Sequence, residues 1–152
     1  MPIARMDHVV VVVPDLDPAI AFFTELGLVL ESRMGGMKGE WIERINGIAG
    51  LDVEIAMLAA PDGSGKLEIT QFHAPDVDDP GPLPPNTMGL RSVMFEVDDV
   101  DATVERLRPL GGELVGDVVN FENLYRLCYV RGPGAAIVAL AQDISRQETS
   151  HG

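Results

Sequence analysis

Two stretches of this chain carry the same order of apolar and polar positions. The first, DHVVVVVPDLDPAIAFFTELGLVL, runs from Asp7 to Leu30; the second, RSVMFEVDDVDATVERLRPLGGELV, runs from Arg91 to Val115. Each reads as a β-branched strand, an acidic turn, an amphipathic helix, a glycine stop and a further apolar strand. In the first copy the pattern predicts a strand over Met6–Val13. It then predicts a turn at Pro14-Asp15-Leu16-Asp17 with a carboxylate placed to cap the following helix, a helix over Pro18–Leu26 ended by Gly27, and a strand over Leu28–Arg33. Ile20, Phe22, Phe23 and Leu26 form the apolar side of that helix. The glycine-rich MGGMKG reads as a loop leading into one or two helical turns at Glu40–Arg44. Strands over Val53–Leu58 and Lys66–Phe72 flank the hairpin signal Pro61-Asp62-Gly63-Ser64-Gly65.

The stretch from Ala74 to Thr87 holds five prolines among a cluster of aspartates and reads as a linker. Beyond it the pattern restarts. A strand is expected over Leu90–Val97, a capping turn at Asp98-Asp99, a helix over Val100–Leu110, and a stop at Gly111-Gly112. Strands are then expected over Glu113–Val118, Leu124–Val130 and Ala135–Ala141, with Gly132-Pro133-Gly134 turning between the last two. The predicted fold class is α+β: two tandem βαβββ modules over residues 3–73 and 89–142, a linker at 74–88, and a frayed polar tail at 143–152. Together they form one domain with a cup-shaped, mostly antiparallel sheet.

Strand parity sorts the side chains. His8, Val10 and Val12 share one face of the first strand, as Ser92, Met94 and Glu96 do in the second copy; Glu68 and Thr70 share a face opposite Leu67 and Ile69. The remaining set in each strand is the expected core face against the helix, which leaves His8, Glu68, Ser92, Met94 and Glu96 on the cup wall. On the penultimate strand Glu122, Tyr125 and Tyr129 are candidates for that wall, while Cys128 and Val130 point to the core. When the copies are overlaid, His8 falls on Ser92.

Composition narrows the function classes. A net charge of -13 speaks against nucleic acid and against an anionic membrane surface, since both need clustered Lys and Arg. No apolar run is long enough to cross a bilayer, and the amino terminus lacks a signal-peptide layout. The single cysteine, Cys128, permits no intramolecular disulfide, and a reducing cytoplasm is expected. His73 reads as a rim residue, His151 as part of the tail, and Trp41 as lining the cup mouth or a dimer contact. Asp98 and Asp99 read as helix caps.

The ordered set DHVVVVVPDLDPAIAFF, GKLEITQF, GLRSVMFEVDDVDATVERL and YVRGPGAAIVALA resembles the vicinal oxygen chelate superfamily, which includes glyoxalase I, methylmalonyl-CoA epimerase, fosfomycin and bleomycin resistance proteins and extradiol dioxygenases. The resemblance covers Ile3 to about Ala141 and is strongest to the glyoxalase and epimerase branch. It implies metal ligands at His8 and Glu68, with Glu68 also in a catalytic role. The ligand positions of the second module fall on Ser92 and Ala139, neither of which is a standard ligand. Ser92, Met94, Glu96, Tyr125, Tyr129, Ala139 and Trp41 are expected to line the substrate pocket.

Three functions follow as expectations. The first is a lyase, isomerase or epimerase acting on a small oxygenated substrate, with a divalent ion (Zn, Ni, Co, Mn or Fe) in an incomplete site. The second is a metal-free binding protein of the drug-sequestering kind. The third is a dioxygenase-like module, disfavoured because only His8 remains of the His-His-Glu set which that branch uses. A homodimer is expected from the sheet edges that such modules leave open.

Overall fold

A computed structural model describes residues 2–145 of the chain. The chain divides between Pro80 and Gly81 into two compact units.

The first unit contains β1 (Val9–Val12), α1 (Leu16–Leu26), β2 (Val29–Lys38), α2 (Glu40–Asn46), β3 (Asp52–Ala59) and β4 (Lys66–Ala74). Its sheet order is β1-β4-β3-β2, with β1 parallel to β4 and the other pairs antiparallel. α1 forms where expected and starts two residues earlier. Asp15 takes an extended N-cap conformation and accepts from Asp17 N. Gly27, at φ 128°, ends the helix by donating to Phe23 O and Thr24 O. Leu16, Ala19, Phe22, Phe23 and Leu26 are buried along one side of the helix, which packs on β2, β3 and β4. Phe22 and Phe23 meet edge to face at 5.2 Å. Burying each ring contributes roughly 1.5–3 kcal/mol, against Ala56 and Leu58 of β3 and Leu67 and Ile69 of β4, all buried.

The second unit contains β5 (Ser92–Glu96), α3 (Val100–Leu107), β6 (Glu113–Leu114), β7 (Val119–Phe121), β8 (Tyr125–Arg131) and β9 (Ile137–Asp143). Its sheet order is β5-β9-β8-β6, with β7 paired to β8 and β5 parallel to β9. Asp99 caps α3 by accepting from Ala102 N. The architecture is the mixed, mostly antiparallel α+β arrangement of two repeated modules that the chain's pattern predicts.

Several boundaries differ, each for a local reason. β1 is shorter than its apolar run, because only Val9–Val12 pair with β4. MGGMKG is strand rather than loop: β2 continues to Lys38 along β3, and a register shift between Met34 and Met37 is absorbed where Gly36 takes φ 66°. α3 stops at Leu107 and a 3-10 turn covers Arg108–Leu110, since Pro109 has no N–H to continue the helix. The expected strand over Glu113–Val118 shrinks to Glu113–Leu114, and a separate hairpin joins β7 to β8. Its loop is Glu122, Asn123 and Leu124, the first two at φ 52° and 57°, so Glu122 is a turn residue and not a wall residue. Gly132-Pro133-Gly134 does turn the chain, as a 3-10 turn over Pro133–Ala135. β9 runs two residues past its expected end, and Ile144 N donates to Leu124 O, so the polar tail begins later than read. His151 lies outside the described residues. The proline-rich stretch after Ala74 forms neither helix nor strand, and Arg131 holds part of it by donating to Leu83 O at 2.8 Å.

Candidate functional site

In the first unit the sheet face away from α1 is built in rows across the strands. One row is Val10, Glu68, Met57 and Ser32; the next is Val12, Thr70, Ile55 and Met34. The third, Phe72, Val53 and Met37, is covered by Ile42 of α2 and by Leu51. Trp41, beside Ile42 on α2, is 54% exposed.

His8 lies one residue before β1, on the face of Val10. Its Nε2 is 3.7 Å from Glu68 Oε1, beyond hydrogen-bond reach. The other ring nitrogen, Nδ1, is 2.7 Å from Asp7 Oδ2, and Arg5 Nη2 donates to Asp7 Oδ1 at 2.8 Å. Those two hydrogen bonds, His8 first and Arg5 second, hold the Asp7 carboxyl below the usual carboxylate range. On the other side Thr70 Oγ1 donates to Glu68 Oε2 at 3.1 Å. Both His8 and Glu68 are largely covered, with side-chain exposures of 30% and 20%.

The second unit repeats the register without the chemistry. Met94 pairs with Ala139, which pairs with Tyr129. Ala139 is 1% exposed between Met94 and Tyr129, which are both exposed; Ser92 and Glu96 are exposed at the two ends of β5. Glu96 lies one row from Met94, opposite Ala141, and Tyr125 lies at the far end of β8 opposite Asp143. Cys128 faces the other way and is buried, and burial pushes its thiol up to about 11, so it is inert at neutral pH.

His73 is not beside Glu68. It lies on the opposite face of β4, where its Nε2 is 3.2 Å from Glu54 Oε1. Glu54 also accepts from Arg33 Nε at 2.7 Å, and Arg33 pairs with Asp17 of α1. This network ties the start of α1 to β2, β3 and β4. The sequence alone assigns neither Asp7 nor Thr70 to the site, although their bonds to His8 and Glu68 span only one and two residues. Their signal was Asp7 next to His8, and Thr70 sharing parity with Glu68.

The family model of the Glyoxalase/Bleomycin resistance protein/Dioxygenase superfamily matches residues 5–134. The chain belongs to this superfamily. A glyoxalase family protein from Bacillus cereus is 44% identical, with a TM-score of 0.89 over 95% of this chain and 97% of that one. A 2-epi-5-epi-valiolone epimerase from an Actinomyces species is 36% identical over 115 residues, 72% of this chain; the match spans 61% of that relative's length. A fosfomycin resistance protein from Listeria monocytogenes, solved with Mn(II) and 1S,2S-dihydroxypropylphosphonic acid, shares the fold at 14% identity, with a TM-score of 0.62 and coverage of 98% of both chains. No helix among the described residues is long and apolar enough to cross a membrane.

Among the described residues, the donor set of this chain falls short of what a catalytic divalent ion needs. A catalytic ion of this kind takes three or more protein ligands. His8 and Glu68 of the first unit offer two; within the second unit the equivalent positions are a hydroxyl at Ser92 and a methyl at Ala139. No group of three or more His, Cys, Asp or Glu among the described residues is placed to hold an ion. These residues do not make a complete metal site.

Proposed function

We propose that this chain is an epimerase or isomerase of small hydroxy ketones, with Glu68 as the proton carrier. The observation that carries the reading is the His8–Glu68 pair, its two inner atoms 3.7 Å apart and its outer atoms each held by a neighbour. Glu68 takes the proton from the carbon beside the substrate carbonyl, and the C–H electron pair moves through the new C=C bond onto the carbonyl oxygen, giving an enediolate. A water molecule protonates the planar carbon on its opposite face, with the electrons returning to carbon, which yields the epimer; the proton held by Glu68 neutralises the hydroxide left behind. His8 lies beside the same substrate oxygens. The epimerase relative supports a cyclic polyol ketone as the substrate class.

The test is solvent exchange. Incubated in deuterium oxide with a panel of α-hydroxy ketones that includes 2-epi-5-epi-valiolone, the protein should place deuterium at the carbon next to the carbonyl, and Glu68→Gln should lose at least a hundredfold in that rate. Absence of exchange across the panel, with tight binding to any member, moves the assignment to a ligand-binding protein. The exposed apolar side chains Val10 and Val12 on the strand beside Glu68, with Met34 farther along the same sheet face, favour that second reading.

A further inference from the structure

The two units share one register, so each residue around His8 has a counterpart. Pairing β1 with β4 and β5 with β9 in parallel sets Val10 opposite Glu68 and Met94 opposite Ala139. By the same offsets Asp7 corresponds to Arg91, His8 to Ser92 and Thr70 to Ala141. Where the imidazole and the carboxylate are missing, the Asp beside the one and the hydroxyl beside the other are missing too. Asp7, His8, Glu68 and Thr70 thus occur as a set in one unit, and none of the four recurs at its counterpart in the other.

The hydrogen bonds show what the set does. An ionised carboxylate only accepts, so the 2.7 Å contact between Asp7 Oδ2 and His8 Nδ1 requires the proton on Nδ1. Arg5 occupies the other Asp7 oxygen and leaves Oδ2 to the ring. We propose that Asp7 is the positioning residue of His8, holding the imidazole as the Nδ1–H tautomer so that Nε2 faces Glu68 as a bare acceptor. Thr70 does the corresponding work for Glu68 by occupying Oε2, which leaves Oε1 open. Two acceptor atoms 3.7 Å apart then face each other with no donor between them. A ligand that satisfies Nε2 brings its own O–H group, which selects hydroxyl-bearing substrates over those with carbonyl or ether oxygens alone and leaves Oε1 to the neighbouring C–H.

This inference rests on His8 and Glu68 being the working pair, and its test needs no substrate, so its outcome is separate from that of the deuterium exchange. The experiment is a two-bond proton–nitrogen correlation spectrum of the imidazoles in the uniformly 15N-labelled full chain at pH 8, about 1.5 units above the ordinary histidine value, with and without EDTA. His8→Asn identifies the His8 signals. The native chain should show Nδ1 protonated and Nε2 bare in both conditions. Asp7→Ala should move the proton to Nε2 while the amide spectrum stays folded. A native His8 protonated on Nε2, or an Asp7→Ala variant that keeps the Nδ1–H form, overturns the proposal. A merely structural role for Asp7 would lower the melting temperature and leave the tautomer alone.

Discussion

Glu68 and Ala139 hold the same place in the two units: Glu68 stands opposite Val10 across a parallel strand pair, as Ala139 stands opposite Met94. One position carries a carboxylate braced by Thr70; the other is a methyl group sealed between Met94 and Tyr129. The double variant Ser92→His with Ala139→Glu therefore builds a second His–carboxylate pair in the register of the first. Titration calorimetry with Zn or Mn should then show twice the ion-binding capacity of the native chain, at the affinity of the native pair. An unchanged capacity in a variant with native circular dichroism would refute the equivalence.

α1 and α3 begin on the same device. Gln71 Oε1 accepts from Leu16 N, and Gln142 Oε1 accepts from Val100 N, both at 2.9 Å. Each glutamine comes from the last strand of its unit and meets the first turn of that unit's helix, where backbone N–H groups have no partner within the helix. Gln142→Leu leaves the buried Val100 N–H unsatisfied and should cost about 1–3 kcal/mol in urea unfolding. Gln71→Leu, at a partly buried site, should cost less.

Glu54 gives the fold an acid-sensitive tie. Its carboxyl is held below the usual range, first by the Arg33 hydrogen bond and then by that of His73. A depressed folded-state value means that the stabilisation is present above the unfolded value and is lost as pH falls through the folded one. Stability of the native chain should therefore drop as pH falls below about 4.5, and Glu54→Gln should flatten that slope. Equal slopes in the two proteins would show that the Arg33–Glu54 pair contributes nothing to acid unfolding.

β2 is exposed along nearly its whole length and, among the described residues, pairs only with β3. Val29, Leu30 and Met34 are exposed on it. Such an edge invites pairing with another copy. Light scattering at micromolar concentration should give about twice the 16.4 kDa of one chain. A mass of one chain would rule out the dimer.

The sequence by itself determined the repeat, the helix caps and the sorting of side chains to two faces. These are local: an Asp before an apolar run, a glycine after it, and alternation along a strand need no distant partner to be read. The parity of His8, Glu68, Ser92 and Met94 was legible for the same reason. Tertiary pairing decided the rest. Whether MGGMKG is loop or strand depends on β3 lying beside it, and Glu122 left the wall because β7 folds back on β8. The partners of the site came last of all. Glu68 and Thr70 sit some sixty residues beyond His8, and only the parallel pairing of β1 with β4 brings that carboxylate, and the hydroxyl that braces it, to the open nitrogen of the imidazole.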